Sequence, residues 1–307
     1  MDSLKGRDFL RPDDLSPAEV AYLIDKARGL KEDLAAGKKQ EYLAGKAVAL
    51  IFEKPSTRTR VSLEVGVAQL GGHPLVLDAN TLQLSRGETL ADMGRVLARY
   101  VDAVVLRTFG QDRLEELAAA ASVPVINGLS NEFHPCQILA DLLTIVEKKG
   151  RFRGVKLAYV GDGNNVARTL MIGGAQVGMD VAVATPPGRE PEPAVVGAAR
   201  RSAGRQSEIV VGNNARRLCQ GADVIYTDVW VSMGDSVSRE DRSTFEDYQV
   251  NQDLLSVAHG KCLVMHCLPA HRGQEITDDV IDGEQSVVLD QAENRLHAQK
   301  ALLASLL

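Results

Sequence analysis

Short apolar runs alternate with longer amphipathic stretches over most of the chain. The apolar runs are rich in Val, Ile and Leu, and they predict β-strands at 46–53, 74–78, 102–107, 123–127, 155–160, 180–185, 207–211, 223–228, 262–266 and 286–290. The stretches between them predict helices, most clearly at 58–70, 88–100, 111–121, 135–149 and 291–306. Strands that alternate with helices in this way are typical of parallel α/β sheets.

The same pattern divides the chain into two halves near residue 150. A long amphipathic helix is predicted at 135–149, and a new strand begins soon after it. We therefore predict one α/β domain over residues 1–149 and another over 150–290, each a doubly wound parallel sheet with its own core. The last helix, 291–307, follows the second domain, and the pattern leaves its docking partner open.

Composition narrows the class of protein. Of the 307 residues, 45% are hydrophobic and 25% are charged, which is typical of a soluble globular protein. The formal net charge of -6 and the scattered basic residues argue against a nucleic-acid surface. Neither a signal peptide nor an apolar stretch of bilayer length is visible, so we expect a cytoplasmic protein without a membrane partner. The four cysteines lack C-x-x-C spacing, so we expect free thiols.

The most informative polar cluster is Pro-Ser-Thr-Arg-Thr-Arg at 55–60, directly after the first strand and at a predicted helix start. A helix start offers unsatisfied backbone N–H groups and the positive end of the helix dipole, and the hydroxyl and guanidinium groups add further donors to a phosphate. Two arginines in a first turn oppose the dipole, so a bound anion would offset their cost. The alternative interpretation is a serine-capped helix with a solvated basic turn.

Five more polar clusters directly follow strands or the loops after them: Arg107 and the segments 134–137, 161–165, 228–234 and 267–269. Parallel sheets bind ligands beyond the carboxyl ends of their strands, so we interpret these clusters as parts of sites, although each alone has an ordinary structural explanation. The first domain supplies cations, hydroxyls, an imidazole and an amide, which suit a phosphate beside a carbonyl oxygen. The second supplies an amide, a carboxylate, a hydroxyl and a thiol, which suit an amino acid with Asp228 as counter-ion.

Three familiar kinds of site are disfavoured. The Gly-Asp-Gly at 161–163 resembles a dinucleotide loop, but Val166 replaces its third glycine and Thr185 stands where an acidic ribose ligand is expected. A P-loop motif for nucleotide phosphates is missing from the sequence. His266, Cys267 and His271 could be metal ligands, but alternation along a strand directs neighbouring side chains to opposite faces, so we predict neither a metal nor another cofactor.

Four motifs together resemble one known family. They are S-T-R-T-R at 56–60, H-P-C-Q at 134–137, the segment from Asp228 through S-M-G at 232–234, and H-C-L-P at 266–269. The set resembles the aspartate/ornithine carbamoyltransferases over essentially the whole chain. The S-M-G loop and the cysteine of H-C-L-P are similar to the ornithine branch, because aspartate carbamoyltransferases typically have H-P-T-Q and a proline at that cysteine.

The resemblance implies a carbamoyl-phosphate domain onto which the helix 291–307 packs back, an ornithine domain, and an active site in the cleft between them. The implied carbamoyl phosphate residues are Ser56, Thr57, Arg58, Thr59, Gln83, Arg107, His134, Gln137, Cys267, Leu268 and Arg295. The implied ornithine residues are Asn165, Asp228, Ser232 and Met233. The catalytic residues among them are Arg107, His134, Asp228 and Cys267. Asn164 stays an alternative to Asn165, because the loop looks one residue shorter than related forms.

The implied reaction is attack by the δ-amine of ornithine on the carbonyl carbon of carbamoyl phosphate, which gives citrulline and phosphate in arginine synthesis or breakdown. It needs no cofactor. The resemblance also implies a homotrimer in which the loop around Gln83 reaches a neighbouring subunit. A non-catalytic sensor that binds the same small molecules without turnover is the alternative class of protein.

Overall fold

The computed structural model describes residues 4–79, 82–231 and 243–307. The chain forms two compact units, the first made of Met1–Leu143 with Glu293–Leu307 and the second of Thr144–Ala292. Each unit contains one parallel β-sheet with helices, which confirms the predicted α/β fold class. Within the described ranges, none of the helices combines the length and the apolar character needed to cross a bilayer.

The first unit is built on a four-stranded sheet in the order β2-β1-β3-β4. Its strands are β1 Ala47–Phe52, β2 His73–Asp78, β3 Ala103–Arg107 and β4 Val125–Leu129. Its helices are α1 Pro17–Ala35, α2 Thr57–Gln69, α3 Leu90–Leu97, α4 Gln111–Ala120 and the first part of α5 Pro135–Lys149, with 3-10 turns at Pro12–Asp14 and Gln83–Arg86. The central strands are continuous apolar runs because both faces of a parallel sheet are covered.

The second unit is built on a five-stranded sheet in the order β7-β6-β5-β8-β9. Its strands are β5 Lys156–Val160, β6 Asp180–Ala184, β7 Ile209–Gly212, β8 Val224–Thr227 and β9 Leu263–His266. Its helices are α6 Asn165–Gln176, α7 Pro193–Ala203, α8 Ala215–Cys219, α9 Gln252–Leu255 and α10 Asp278–Ile281, with a 3-10 turn at Glu246–Tyr248. The order reverses beside β5, so the loops after β5 and β8 lie at the switch point where parallel sheets commonly bind ligands.

The strand predicted at 286–290 is wrong. Ser286 makes only an isolated bridge with Val264, and the chain enters the last helix, α11 Val288–Leu306, three residues before the predicted start. Val287 and Val288 are buried whereas Leu289 is 78% exposed. A short apolar run of this kind fits a buried strand or the first turn of a helix equally well, and here the helix forms.

The boundary between the units falls inside α5, after Leu143, and the final unit boundary falls inside α11, before Glu293. The predicted domain boundary at 149 lies at the C-terminal end of α5. Each contact described below joins two residues of the same unit.

Candidate active site

The start of α2 is the first predicted phosphate site. Ser56 is its N-cap, and its hydroxyl accepts a hydrogen bond from the backbone N–H of Thr59 at 3.3 Å. The N–H groups of the first helical turn have no intrahelical acceptor, so those of Thr57 and Arg58 are available to a ligand. The Arg58 side chain is half-buried and, among the described residues, makes no ion pair. The local geometry therefore presents hydroxyl, backbone and guanidinium donors at one helix end.

Five predicted residues of the first unit lie together around the Thr59 hydroxyl. Arg295 donates to this hydroxyl at 2.9 Å and Arg107 at 3.5 Å. The other Nη of Arg295 donates to the side-chain oxygen of Gln137 at 2.9 Å and lies 3.4 Å from His134 Nε2. We call this group, Thr59, Arg107, His134, Gln137 and Arg295, the first-unit cluster; every member is buried.

The electrostatics of the first-unit cluster favour an anion. Burial lowers the pKa of His134 well below its ordinary value, and the charges of Arg295 and Arg107 lower this pKa further. The imidazole is therefore neutral near pH 7, and since an arginine can only donate, Nε2 accepts from Arg295 and the proton resides on Nδ1. His134 is consequently a neutral N–H donor in the field of two guanidinium groups.

Gln137 is held from both ends of its amide. Its oxygen accepts from Arg295, and its NH2 group donates at 2.9 Å to the buried carboxylate of Asp141, one helical turn further along α5. These two contacts fix which end of the amide is the acceptor. Asp141 was not predicted as a site residue; its only sequence signal is the i, i+4 spacing from Gln137 on one helix.

The second unit brings together Asn164, Asp228 and Cys267, which we call the second-unit cluster. Asp228 follows β8 and is 7% exposed. One of its carboxylate oxygens accepts from the Cys267 thiol at 3.0 Å, and the other accepts from the Asn164 amide at 2.9 Å. The predicted catalytic carboxylate and thiol are thus in direct contact.

Asn164 joins this cluster to the start of α6. Its side-chain oxygen accepts from the backbone N–H groups of Val166 and Ala167 at 2.9 and 3.2 Å, and it also accepts from the Tyr159 hydroxyl at 3.3 Å. Burial raises the pKa of Tyr159 well above its ordinary value, and the neighbouring negative charges, led by Asp228, raise it further. Tyr159 is therefore a neutral donor. Sequence reasoning missed both Tyr159 and the contact of Asn164 with Asp228.

The structure leaves some predicted residues apart from the two clusters. Gln83 is exposed on the 3-10 turn Gln83–Arg86, and within the described residues its side chain makes no hydrogen bond with the first-unit cluster. Asn165 is buried as the first residue of α6, next to Asn164. Ser232 and Met233 lie outside the described residues.

Candidate metal ligands also meet in the second unit. One potential ligand atom each from Asp228, His266 and Cys267 lies within 4.8 Å of the others. The alternation argument used against a metal does not apply here, because β9 ends at His266 and Cys267 belongs to the following loop. Both ring nitrogens of His266 have hydrogen-bond partners, Leu268 N–H at 2.8 Å and Glu275 at 3.1 Å, so a metal would have to displace one of them. The absence of a metal stays a prediction.

Family models match both units. Residues 7–147 match the carbamoyl-P binding domain of aspartate/ornithine carbamoyltransferase, and residues 153–306 match the Asp/Orn binding domain. The chain belongs to the aspartate/ornithine carbamoyltransferase family. This confirms the resemblance seen in the four sequence motifs.

Individual members of the aspartate/ornithine carbamoyltransferase family match the chain at full length. The ornithine carbamoyltransferase of Anoxybacillus flavithermus is 54% identical over 306 residues, covering 99% of this chain and 98% of the relative. That of Pyrococcus abyssi is 55% identical over 309 residues, covering 99% and 97%. The solved structure of ornithine carbamoyltransferase from Pyrococcus furiosus is 53% identical, with a TM-score of 0.96 and coverage of 99% and 97%. Another, from Gloeobacter violaceus, is 48% identical with a TM-score of 0.88, covering 98% and 99%.

Proposed function

We propose that the protein transfers the carbamoyl group of carbamoyl phosphate to the δ-amine of L-ornithine, which gives L-citrulline and phosphate. As a family member it is a carbamoyltransferase. The observation that carries the proposal is the opposite charge of the two clusters. The first-unit cluster contains the buried guanidinium groups of Arg107 and Arg295, whereas the second-unit cluster contains the buried carboxylate of Asp228. An anionic carbamoyl donor suits the former, and an amine suits the latter.

Residues 1–149, with the helix 291–307, form the proposed carbamoyl-phosphate domain. The phosphate is received by Ser56, Thr57, Arg58, Thr59 and Arg107, where a helix start and charge-assisted hydrogen bonds both favour negative charge. The leaving phosphate therefore forms in an environment that already favours it. This part of the proposal follows from the geometry at the start of α2 and around Thr59.

The carbonyl oxygen is the second group to be stabilised, because it becomes an oxyanion in the tetrahedral intermediate. Arg107 and the Nδ1–H of His134 are the proposed donors to it. A neutral imidazole suits this role, since it donates a hydrogen bond without having to release a proton. Arg295 lies beside His134 and donates to Gln137, and these two residues are the proposed contacts of the carbamoyl amide. The segment Cys267–Leu268 is a further proposed contact of carbamoyl phosphate.

Residues 150–290 form the proposed ornithine domain. Asn165 and the Met233 backbone take the α-carboxylate, and Asp228 with Ser232 takes the α-ammonium. We prefer Asn165 to Asn164 because the Asn164 amide already caps α6 with its oxygen and donates to Asp228 with its nitrogen. Cys267 faces the δ-amine.

The δ-amine must be neutral to attack. An alkylamine titrates near ~10.4, so only about one molecule in a few thousand is neutral at pH 7. Asp228 and Cys267, held together at 3.0 Å, are the proposed groups that orient the δ-amine by accepting its hydrogens and help it lose its proton. The new C–N bond then forms, the C–O bond to phosphate breaks, and the proton lost from the amine ends on the departing phosphate.

Three finer points stay predictions. They are the homotrimer, with the Gln83 loop completing a neighbouring site, the cytoplasmic location, and the part played in arginine synthesis or breakdown. Both half-sites must also act on the same reacting atoms.

The decisive experiment incubates the purified protein with carbamoyl phosphate and, in parallel, L-ornithine, L-aspartate, putrescine or N-acetylornithine. We expect citrulline and stoichiometric phosphate with ornithine, and far slower product formation with the other amines. Binding of both ligands without citrulline would favour the sensor. Faster carbamoylation of another amine would assign the protein to a different branch of the family.

A further inference from the structure

The buried imidazole of His266, the first residue of the H-C-L-P segment, contacts the buried carboxylate of Glu275, and the proposed reaction uses neither side chain. Glu275 and His266 are both 0% exposed. Nε2 of His266 lies 3.1 Å from Glu275 Oε1, and the same oxygen accepts from the backbone N–H of His271 at 2.5 Å. Sequence reasoning considered His266 as a metal ligand and as part of the H-C-L-P motif, and it did not single out Glu275.

The surroundings fix the tautomer of His266. The backbone N–H of Leu268 points at Nδ1, with a separation of 2.8 Å. A backbone N–H can only donate, so Nδ1 must carry a lone pair and the ring proton must reside on Nε2. Nε2–H then donates to the Glu275 carboxylate, which is the usual way in which a protein selects one imidazole tautomer.

Leu268 needs this support because its backbone is in an unfavourable region. Its φ is +58°, in the left-handed region that side chains other than glycine rarely adopt. The hydrogen bond from its N–H to His266 is one contact that holds the residue there. The orientation of Leu268 in turn sets the peptide that joins it to Cys267.

The backbones of both His266 and Glu275 make further hydrogen bonds. The backbone N–H of His266 donates to the side-chain oxygen of Gln291 at 3.0 Å, and the Gln291 amide donates to the Tyr226 hydroxyl at 3.0 Å. The backbone carbonyl of Glu275 accepts from the N–H of Val250 at 2.8 Å. These hydrogen bonds hold His266 and Glu275 in place. The position of His266 in turn determines that of the following residues, Cys267 and Leu268.

Stability alone does not account for such a pair. Removing a carboxylate completely from water is costly, and well-packed apolar residues of similar volume are often as stabilising or more so. A fully buried carboxylate whose main side-chain partner is an imidazole is better explained by the geometry that it imposes on the neighbouring segment.

We propose that Glu275 and His266 are positioning residues for the carbamoyl transfer: Glu275 fixes the His266 tautomer, and His266 holds Leu268 in the left-handed conformation. In this way the pair places the Leu268 backbone at carbamoyl phosphate and the Cys267 thiol at Asp228. This inference rests on the proposed function, because it assigns Leu268 and Cys267 to the reaction.

The test compares Glu275→Leu with Glu275→Gln. Leucine removes the acceptor of Nε2–H, so His266 can change tautomer and release Leu268; we expect kcat/KM to fall about 10- to 100-fold, as for other residues that orient a ligand through a second group. Glutamine retains an acceptor oxygen and should recover much of this loss. Arg272→Gln is the matched control, because Arg272 lies in the same segment but makes exposed ion pairs with Asp278 and Asp282.

A rescue variant separates positioning from folding. In His266→Asn the side-chain oxygen can accept the N–H of the residue two positions later, as in an Asx turn, without help from residue 275. We therefore expect Glu275→Leu to cost much less in the His266→Asn background than in the wild type. Equal losses in the two backgrounds would overturn the proposal.

The tautomer is read independently of turnover from the nitrogen chemical shifts of His266 in protein labelled at histidine. We expect Nε2–H in the wild type and in Glu275→Gln, and a loss of this preference in Glu275→Leu. A wild-type Nδ1–H tautomer would overturn the proposal, and so would a folded Glu275→Leu variant with unchanged kcat/KM. If the wild type makes no citrulline, the proposed function fails, whereas these shifts still report on the pair. If Glu275→Leu does not fold, Glu275→Gln carries the test through the same shifts and kinetics, and His266→Asn, which has no imidazole at this position, carries it through kinetics alone.

Discussion

The charged side chains of the first-unit cluster are arginines, whereas that of the second-unit cluster is an aspartate. In the first unit, the guanidinium groups of Arg295 and Arg107 both donate to the Thr59 hydroxyl, so two cations meet at one point. In the second unit, a single carboxylate, that of Asp228, is already held by a thiol and an amide. The first cluster therefore gains most from an anionic ligand, whereas a ligand of the second must share Asp228 with its existing donors. We infer that the first cluster provides binding and charge stabilisation, and that the second provides selection of the amine.

The largest effect is expected from Arg107→Gln, which removes one of the charges that distinguish the first-unit cluster. Loss of a charged donor to the oxyanion and the phosphate should lower kcat by about 10³-fold, or about 4 kcal/mol of transition-state stabilisation. Steady-state kinetics with both substrates varied would measure it. Arg107→Lys keeps the charge but not the planar fork, and should recover only part of the rate. Turnover close to that of the wild type in Arg107→Gln would remove Arg107 from the mechanism.

A smaller effect is expected when charge is added to the second-unit cluster. Asn164→Asp keeps a good N-cap for α6 but places a carboxylate where the amide donates to Asp228, at 2.9 Å. Two carboxylates this close cannot both ionise readily, so the pair retains a proton at higher pH. We expect kcat/KM for ornithine to fall by about 10²-fold at pH 7 and to recover as pH rises, because only the ionised pair accepts the amine hydrogens.

Asn164→Ser is the matched control for this variant. Serine also caps a helix, but it adds no charge next to Asp228. It should lower activity modestly and leave the acid limb of the pH profile in place. If Asn164→Asp and Asn164→Ser gave the same pH profile, the contact between Asn164 and Asp228 would have no part in setting the charge of the site.

The sequence was most informative where the signals are local. The alternation of apolar runs and amphipathic stretches predicted nine strands of the structure, and the Ser-Thr-Arg-Thr segment correctly marked a helix start. The site contacts are different, because Thr59 and Arg295 are 236 positions apart and meet only through the fold. Resemblance to a family suggested both residues, but spacing alone could not have joined them.

The strand wrongly predicted at 286–290 is a second case in which the local sequence does not determine the structure. Its apolar residues are compatible with a strand, and only packing in the folded unit determines that Val288 begins a helix. Glu275 was missed for a related reason. Nothing in the local sequence distinguishes a buried carboxylate that faces an imidazole from an exposed one, since burial is set by the surrounding chain.

A third variant, Cys267→Ser, tests the division of labour between the clusters. The shorter hydroxyl should alter the contact with Asp228 and raise KM for ornithine by about tenfold, while the dissociation constant of carbamoyl phosphate stays within about twofold of the wild type, since its charged contacts lie in the first unit. Calorimetric titration with carbamoyl phosphate and steady-state kinetics with ornithine measure the two effects separately. Loss of carbamoyl phosphate binding would contradict the assignment of phosphate binding to the first-unit cluster.

The smallest expected effect concerns a buried cation outside both clusters. Lys300 is 0% exposed on α11, and its ammonium donates to the side-chain oxygen of Gln69 at 2.9 Å. Among the described residues it makes no ion pair. Burial lowers its pKa to about 8, from an ordinary value of 10.5. Unlike Arg107 and Arg295, Lys300 is a charge without a proposed ligand, so its removal should not affect the reaction.

We therefore expect Lys300→Met to keep kcat and both KM values and to increase stability. Below pH 8 the wild-type lysine is charged in both the folded and unfolded states, and the folded state bears the full cost of burial. Between pH 8 and 10.5 the folded state releases the proton first, so wild-type stability rises with pH, and above 10.5 the cost is gone. The free energy of unfolding should exceed that of the wild type by roughly 1–3 kcal/mol at pH 7, with the difference shrinking toward pH 10.5. Urea unfolding of both proteins at pH 7, 8 and 9.5 measures this difference. A less stable variant at pH 7, or lower activity, would show that the Lys300 charge has a role that its single amide contact does not reveal.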